Sequence, residues 1–113
     1  MKVHVHTDHH LVIDTEIEAR IASATAEALA AFGPRIIRVD LHLTDQSGGR
    51  RAGDHVRCLA EAHPSGLAPV TVSHDAAEVK TALDGAITAL ATTLEHTFSR
   101  LADKSLRQAT RRP

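Results

Sequence analysis

Aromatic residues are nearly missing from this chain of 113 residues, which has two phenylalanines and neither tryptophan nor tyrosine. Phe32 and Phe98 are too few to form the rows of aromatic side chains on which some RNA-binding sheets stack bases. Because 42% of the residues are nonetheless hydrophobic, the composition is typical of a folded protein rather than a disordered one. Its core must consist of alanine, valine, leucine and isoleucine.

Cysteine is just as scarce. Cys58 is alone, which excludes an internal disulfide and a cysteine metal cluster, and its place on an apolar strand face predicts a small buried side chain. Apolar runs of about eighteen residues are missing, and so is the basic-then-apolar N-terminus of a signal peptide. We therefore expect a single-domain cytoplasmic protein that does not cross a membrane.

Catalytic motifs are missing too. The chain has no nucleophile elbow, phosphate-binding loop, CxxC or HExxH, and Asp75 is better interpreted as a helix cap than as a catalytic group. We predict that the protein is not an enzyme and that it has neither a cofactor nor a small-molecule substrate.

Charge is present but unevenly distributed. Residues 1–98 contain eight Lys/Arg and thirteen Asp/Glu, a net charge of −5, whereas residues 99–113 contain five Lys/Arg and one Asp, a net charge of +4. An acidic body with a basic tail indicates an anionic partner for the tail.

Hydrophobic periodicity predicts four strands and two helices. Alternation predicts strands near residues 2–6, 37–43 and 54–63 and a short strand at Val70 and Val72. In the second of these strands, the alternation places Ile37 on the same apolar face as Val39, Leu41 and Leu43.

Two capping-box patterns, one at Thr15–Glu18 and one at Asp75–Glu78, predict the starts of the helices. The first helix is expected over about residues 15–32, ending at Gly33-Pro34, and the second is long.

The element order is β-α-β-β-β-α. A strand-helix-strand unit makes the first two strands parallel, and the short connections that follow favour an antiparallel meander. Each strand has one apolar face, so both helices must cover the same side of the sheet. The sequence therefore predicts a two-layer α+β sandwich with a four-stranded sheet.

Four strings in this order resemble the ribosome hibernation promoting factor / ribosome-associated inhibitor (sigma-54 modulation protein) family in its short form. They are VHTDHHL, PRIIRVDLHLTDQSGG, VRCLAEAHPSG and VSHDAAEVKTALDGAITAL. The resemblance spans residues 1–104, which we take as the domain, and leaves residues 105–113 as a basic tail. It implies a fold like that of double-stranded-RNA-binding domains.

The resemblance also implies a function. Members of that family bind the small ribosomal subunit between head and body, obstruct the tRNA and mRNA sites and silence idle ribosomes, using basic residues on both helices. Here the first helix has Arg20 among three glutamates, and the middle of the second helix has threonine and alanine instead. The sequence therefore departs from the family in the helix residues that bind RNA there.

Basic residues in three places are candidates for rRNA contacts. In a continued helix, the basic residues of the tail lie along one side, and guanidinium groups pair with phosphate. The glycine-rich loop has two more arginines, which fit either a phosphate contact or an ordinary exposed loop. The candidates are Arg100, Lys104, Arg107, Arg111, Arg112, Arg50, Arg51 and Arg20.

Histidines offer a different interpretation. His4 and His6 lie about 7 Å apart on one face of a strand, and His42 of the parallel neighbour lies about 5 Å from one of them. Three imidazoles on a sheet can bind zinc, copper or nickel, but a solvated polar face explains them as well. The alternative to a ribosomal function is therefore a protein-interaction or metal-sensing module. Exposed Leu59 and the edge strands would allow weak self-association.

Overall fold

In the part of the chain that the structure describes, the elements follow the predicted order. The structure, a computed structural model, describes residues 1–8, 11–46 and 55–110, the last four of these by their backbone alone. Its elements are β1 (Lys2–Thr7), α1 (Thr15–Ala28), a 3-10 helix (Ala30–Arg35), β2 (Ile36–Asp45), β3 (Val56–Pro64), β4 (Val70–Ala76) and α2 (Val79–Thr110).

The sheet has the strand order β1-β2-β3-β4. Strands β1 and β2 are parallel, whereas β2 with β3 and β3 with β4 are antiparallel, as predicted. Helix α1 packs on β1, α2 packs across β3 and β4, and the two helices touch each other. Both therefore cover one side of the sheet, and the predicted two-layer α+β sandwich is confirmed.

The core lies between this sheet face and the helices. Strand β3 shows the pattern most clearly, because every second residue from Val56 to Pro64 is buried. Cys58 is among them, as predicted, and burial raises the pKa of its thiol to about 12. The fully buried side chains include Leu29, Val39, Leu41, Leu43, Cys58, Ala60, Ala62, Ala82, Ala86, Leu90 and Leu94.

Helix α1 differs from the prediction at both ends. The side chain of Asp14, not of Thr15, caps it by accepting a 2.8 Å hydrogen bond from the backbone N–H of Ile17. At the other end the helix stops at Ala28 and the chain tightens into the 3-10 helix. There Gly33 takes a φ of +53°, a conformation suited to glycine, before the chain enters β2.

Strand β2 begins with an irregularity that overturns the prediction for Ile37. The register shifts between Ile36 and Arg38, so Ile36 is buried while Ile37 is 60% exposed. An extra residue in one strand inverts the alternation on its far side.

The predicted capping box at Asp75–Glu78 is wrong. Strand β4 runs on to Ala76, and α2 begins at Val79. Asp75 lies within β4 directly opposite Arg57 of β3, so it holds two strands together and caps nothing.

Helix α2 is the longest element, with 32 residues. Among the side chains of α2 that the structure describes, Leu94 is the last fully buried one, Phe98 is half-buried, and residues 99–106 are all exposed. The helix continues through residue 104 without a break and ends at Thr110. Its last turns therefore extend beyond the sheet.

Candidate functional site

Four basic residues in the body of the protein, Arg20, Arg38, Arg57 and Lys80, form ion pairs with carboxylates. Arg20, the candidate on α1, forms an exposed pair with Glu16, with 2.8 Å between its Nη2 and Glu16 Oε1. Lys80, in the first turns of α2, pairs in the same way with Asp84. A phosphate would have to compete with a neighbouring carboxylate at each of these cations.

Arg100 and Lys104 differ from them. Both are exposed on the projecting part of α2, and within the described part of the chain neither has an ion pair. Four residues apart in a helix, they lie on the same side about 6 Å apart along the axis. The structure thus brings together two of the predicted cations.

The structure does not describe the side chains of the candidates in the tail beyond residue 106 or in the glycine-rich loop. Arg107 lies in α2, where only the backbone is described. Arg50, Arg51, Arg111 and Arg112 lie outside the described residues, as do His9 and His10 of the opening segment.

The sheet face away from the helices has a row of imidazoles, as predicted. The rings of His6 and His42 stack with centroids 4.5 Å apart and planes at 12°, and His4 follows at 6.4 Å from His6. Nearly parallel rings direct their in-plane lone pairs side by side rather than towards one point. These three histidines are not among the side chains of the described chain whose ligand atoms converge.

Next to this row, Asp40 of β2 is the centre of a polar cluster. His6 Nε2 lies 3.4 Å from one carboxylate oxygen, while Arg38 Nε at 2.9 Å and His63 Nε2 at 3.2 Å contact the other. Burial raises the pKa of Asp40, but the hydrogen bond from His6 and the positive charge of Arg38 outweigh it and hold the pKa below its usual value. Glu61 completes the cluster at 2.8 Å from His63 Nε2.

A second ion pair lies towards the other edge of the sheet. The guanidinium of Arg57 donates two hydrogen bonds, of 2.8 and 3.1 Å, to the two carboxylate oxygens of Asp75. The hydrogen bond and charge of Arg57 lower the pKa of Asp75. Mixed charges on this face thus form pairs, and the partner of Arg57 is a residue that the sequence predicts to be a helix cap.

The convergence of Asp40, Glu61 and His63 is the feature that sequence reasoning missed. The three ligand atoms lie within 4.8 Å of one another. The sequence shows on which face of its strand each of these residues lies. It does not show which residue of β3 lies opposite Asp40, because a ten-residue connection separates β2 from β3. Only the register, with Glu61 opposite Asp40, brings them together.

No helix in the described part of the chain combines the length and hydrophobicity needed to span a bilayer. No protein-family model and no curated protein matches the sequence.

Solved structures do match the fold. The N-terminal domain of Thermus thermophilus Protein Y superposes with a TM-score of 0.66 and 17% identity over 86% of this chain and 99% of that domain. A ribosomal subunit interface protein from Coxiella burnetii superposes with a TM-score of 0.64 and 12% identity over 88% of this chain and 99% of its own. The chain therefore shares the fold of the Protein Y N-terminal domain and of a ribosomal subunit interface protein, which confirms, at the level of the fold, the resemblance that its sequence carries.

Proposed function

We propose that this protein is a ribosome-associated factor that binds rRNA of the small ribosomal subunit in the decoding and tRNA region. There it inhibits translation in stress or stationary phase, without catalysis and in the cytoplasm. The observation that carries the proposal is the fold, shared over nearly the whole length of a ribosomal subunit interface protein. The order of sequence strings on that fold supports the same conclusion.

The charges indicate which part of the protein makes the contact. Binding to RNA depends on cations that can replace the counterions around phosphates. Arg20, Arg38, Arg57 and Lys80 are already paired with carboxylates, so their charge is partly neutralised before any RNA approaches. Arg100 and Lys104 have no ion pair within the described residues, so a phosphate can bind them without displacing a carboxylate.

The position of these two side chains has a second advantage. Residues 99–106 are all exposed, and Leu94 is the last fully buried side chain of α2 within the described part of the helix. The projecting turns can therefore enter a groove of folded RNA without disturbing the core. We infer that the end of α2, with Arg107, Arg111 and Arg112 following, is the primary rRNA contact. Arg20, Arg50 and Arg51 contribute less.

The test is co-sedimentation with small subunits in sucrose gradients at two salt concentrations. We expect wild-type protein in the small-subunit fractions at low salt and less of it at high salt. The variant Arg100→Glu/Lys104→Glu should bind at least about tenfold more weakly, because each lost phosphate contact weakens binding and lowers the salt slope by about one.

The matched control is Lys80→Glu, which reverses a cation that is also exposed on α2 but is paired with Asp84. It should bind nearly as well as wild type. Protein that stays at the top of the gradient at low salt would contradict ribosome association itself. Equal binding of the double variant and the control would remove the end of α2 from the interface.

A further inference from the structure

Two carboxylates lie directly opposite each other on the face of the sheet that the helices leave open. Asp40 of β2 pairs in register with Glu61 of β3. Like charges at directly opposed positions destabilise a sheet. A positive charge between the two carboxylates would therefore stabilise the pairing of β2 with β3 at this position.

His63 faces the same point. It follows Glu61 by two residues in β3, so both side chains are on the same face. Its Nε2 lies 2.8 Å from Glu61 Oε1 and 3.2 Å from Asp40 Oδ2. Two ligand atoms held at about 2.0 Å by a tetrahedral ion are separated by about 3.3 Å. The two spacings that involve His63 are close to that value, and all three ligand atoms lie within 4.8 Å of one another.

At present a guanidinium supplies the positive charge. Arg38 Nε lies 2.9 Å from Asp40 Oδ2, and its Nη2 lies 3.2 Å from His63 Nε2. Arg38 donates to His63 Nε2 when the ring carries its proton on Nδ1, and in that tautomer the Nε2 lone pair is the one that a metal would take. Arg38 thus bridges two of the three ligand atoms, and its side chain is exposed enough to swing into solvent.

The remaining oxygen of Asp40 already has a partner. His6 Nε2 lies 3.4 Å from Asp40 Oδ1, which orients the carboxylate and leaves Oδ2 directed at the cluster. Ligating carboxylates in metal sites are held by an outer hydrogen bond of this kind. Asp40 is also the least exposed member of the cluster, at 13%.

We propose that Asp40 Oδ2, Glu61 Oε1 and His63 Nε2 bind a divalent transition-metal ion, with Zn²⁺ as the best fit, and that the ion displaces Arg38. A nitrogen ligand beside two carboxylates suits zinc, whereas Mg²⁺ and Ca²⁺ prefer oxygen ligands throughout. Three protein ligands leave a fourth position for water. The site is on the sheet face opposite α2, so it is independent of the proposed contact with rRNA.

Isothermal titration calorimetry with Zn²⁺ alone, on protein without a polyhistidine tag, tests the proposal. We expect one ion per chain. His63→Gln and Asp40→Asn should each weaken binding by at least about tenfold, since even the loss of an outer-shell partner commonly costs that much.

A substitution of Arg38 is expected to change the zinc affinity in the opposite direction. Arg38→Gln removes a cation that competes with the ion, so zinc should bind roughly tenfold more tightly. A variant that merely unfolds cannot bind more tightly, so this result distinguishes loss of a ligand from loss of structure.

His96, exposed on α2, provides the matched control, and His96→Gln should bind zinc as wild type does. Three results would overturn the proposal. They are no saturable binding by wild type, unchanged affinity in both ligand variants, and loss of binding only in His4→Gln/His42→Gln, which would assign the ion to the imidazole row.

Discussion

Gly85 lies in the interior of α2, where glycine is less favourable than alanine by about 1 kcal/mol. The structure gives the reason for its presence. A Cβ at this position would collide with the imidazole of His74, which lies against the helix backbone. The missing side chain thus lets β4 and α2 approach each other at this point.

We therefore predict that Gly85→Ala lowers the free energy of unfolding by about 1–3 kcal/mol, the usual cost of overpacking. Urea unfolding followed by circular dichroism measures the change. The same substitution in a His74→Ala background should instead raise stability by about 1 kcal/mol, because only the helix propensity remains. Equal effects in the two backgrounds would show that the ring is not what the glycine accommodates.

The sequence predicts the positions of some individual side chains correctly and of others wrongly. Strand alternation, together with the predicted parallel pairing of the first two strands, places His4, His6 and His42 on one face with nearly the observed spacing. It failed at Ile37, since a single extra residue inverts the alternation and nothing in a run of apolar residues marks where that residue falls.

Among the elements, β3 and β4 are joined by the ion pair of Arg57 and Asp75. The pKa of Asp75 is lowered by the hydrogen bond from Arg57, so the folded state holds its proton less tightly than the unfolded chain does. The stabilisation is therefore complete above the unfolded pKa and is lost as pH falls through the folded one.

It follows that Asp75→Asn should be less stable than wild type at neutral pH and should lose less of its stability on acidification between about pH 5 and pH 2. Urea midpoints measured across that range provide the comparison. Glu95→Gln, which removes an exposed carboxylate of α2 that has no ion pair within the described residues, should keep the wild-type pH dependence. Identical curves for Asp75→Asn and wild type would mean that the pair is not formed in solution.

The ends of the elements were harder to predict than their order. Asp14 and Thr15 are adjacent and both can cap a helix, so composition could not choose between them. The sequence at Asp75–Glu78 fits both a capping box and a continuing strand. The pairing of Asp75 with Arg57 shows that Asp75 belongs to the strand. Long-range contacts of this kind are invisible to local pattern.

The near absence of aromatic residues has a consequence for the packing of α2 on the sheet. Ala60 and Ala62 of β3 and Ala82 and Ala86 of α2 are all fully buried. Small side chains on both surfaces allow the helix to lie close to the sheet. The aromatic contact that exists, Phe32 with Phe98 at 5.7 Å between ring centroids, lies towards the end of the buried part of α2.

For the molecule as a whole, the fold could be predicted from the sequence and the candidate sites only in part. Charge asymmetry indicates the end of α2, where Arg100 and Lys104 are exposed and have no ion pair among the described residues. It could not show that Arg20 is paired with Glu16, nor that Asp40, Glu61 and His63 converge. Net charge is a property of composition, whereas pairing and convergence depend on register and rotamer.

The central claim is that the end of α2 contacts rRNA of the small subunit, and photo-crosslinking from position 104 tests it most directly. A Lys104→Cys variant can be labelled selectively with a maleimide photoprobe, because Cys58 is buried and its pKa is raised to about 12. With purified small subunits at low salt, we predict crosslinks from position 104 to rRNA and few from Lys80→Cys at the other end of the helix. Crosslinks from position 80 without any from position 104 would contradict the account.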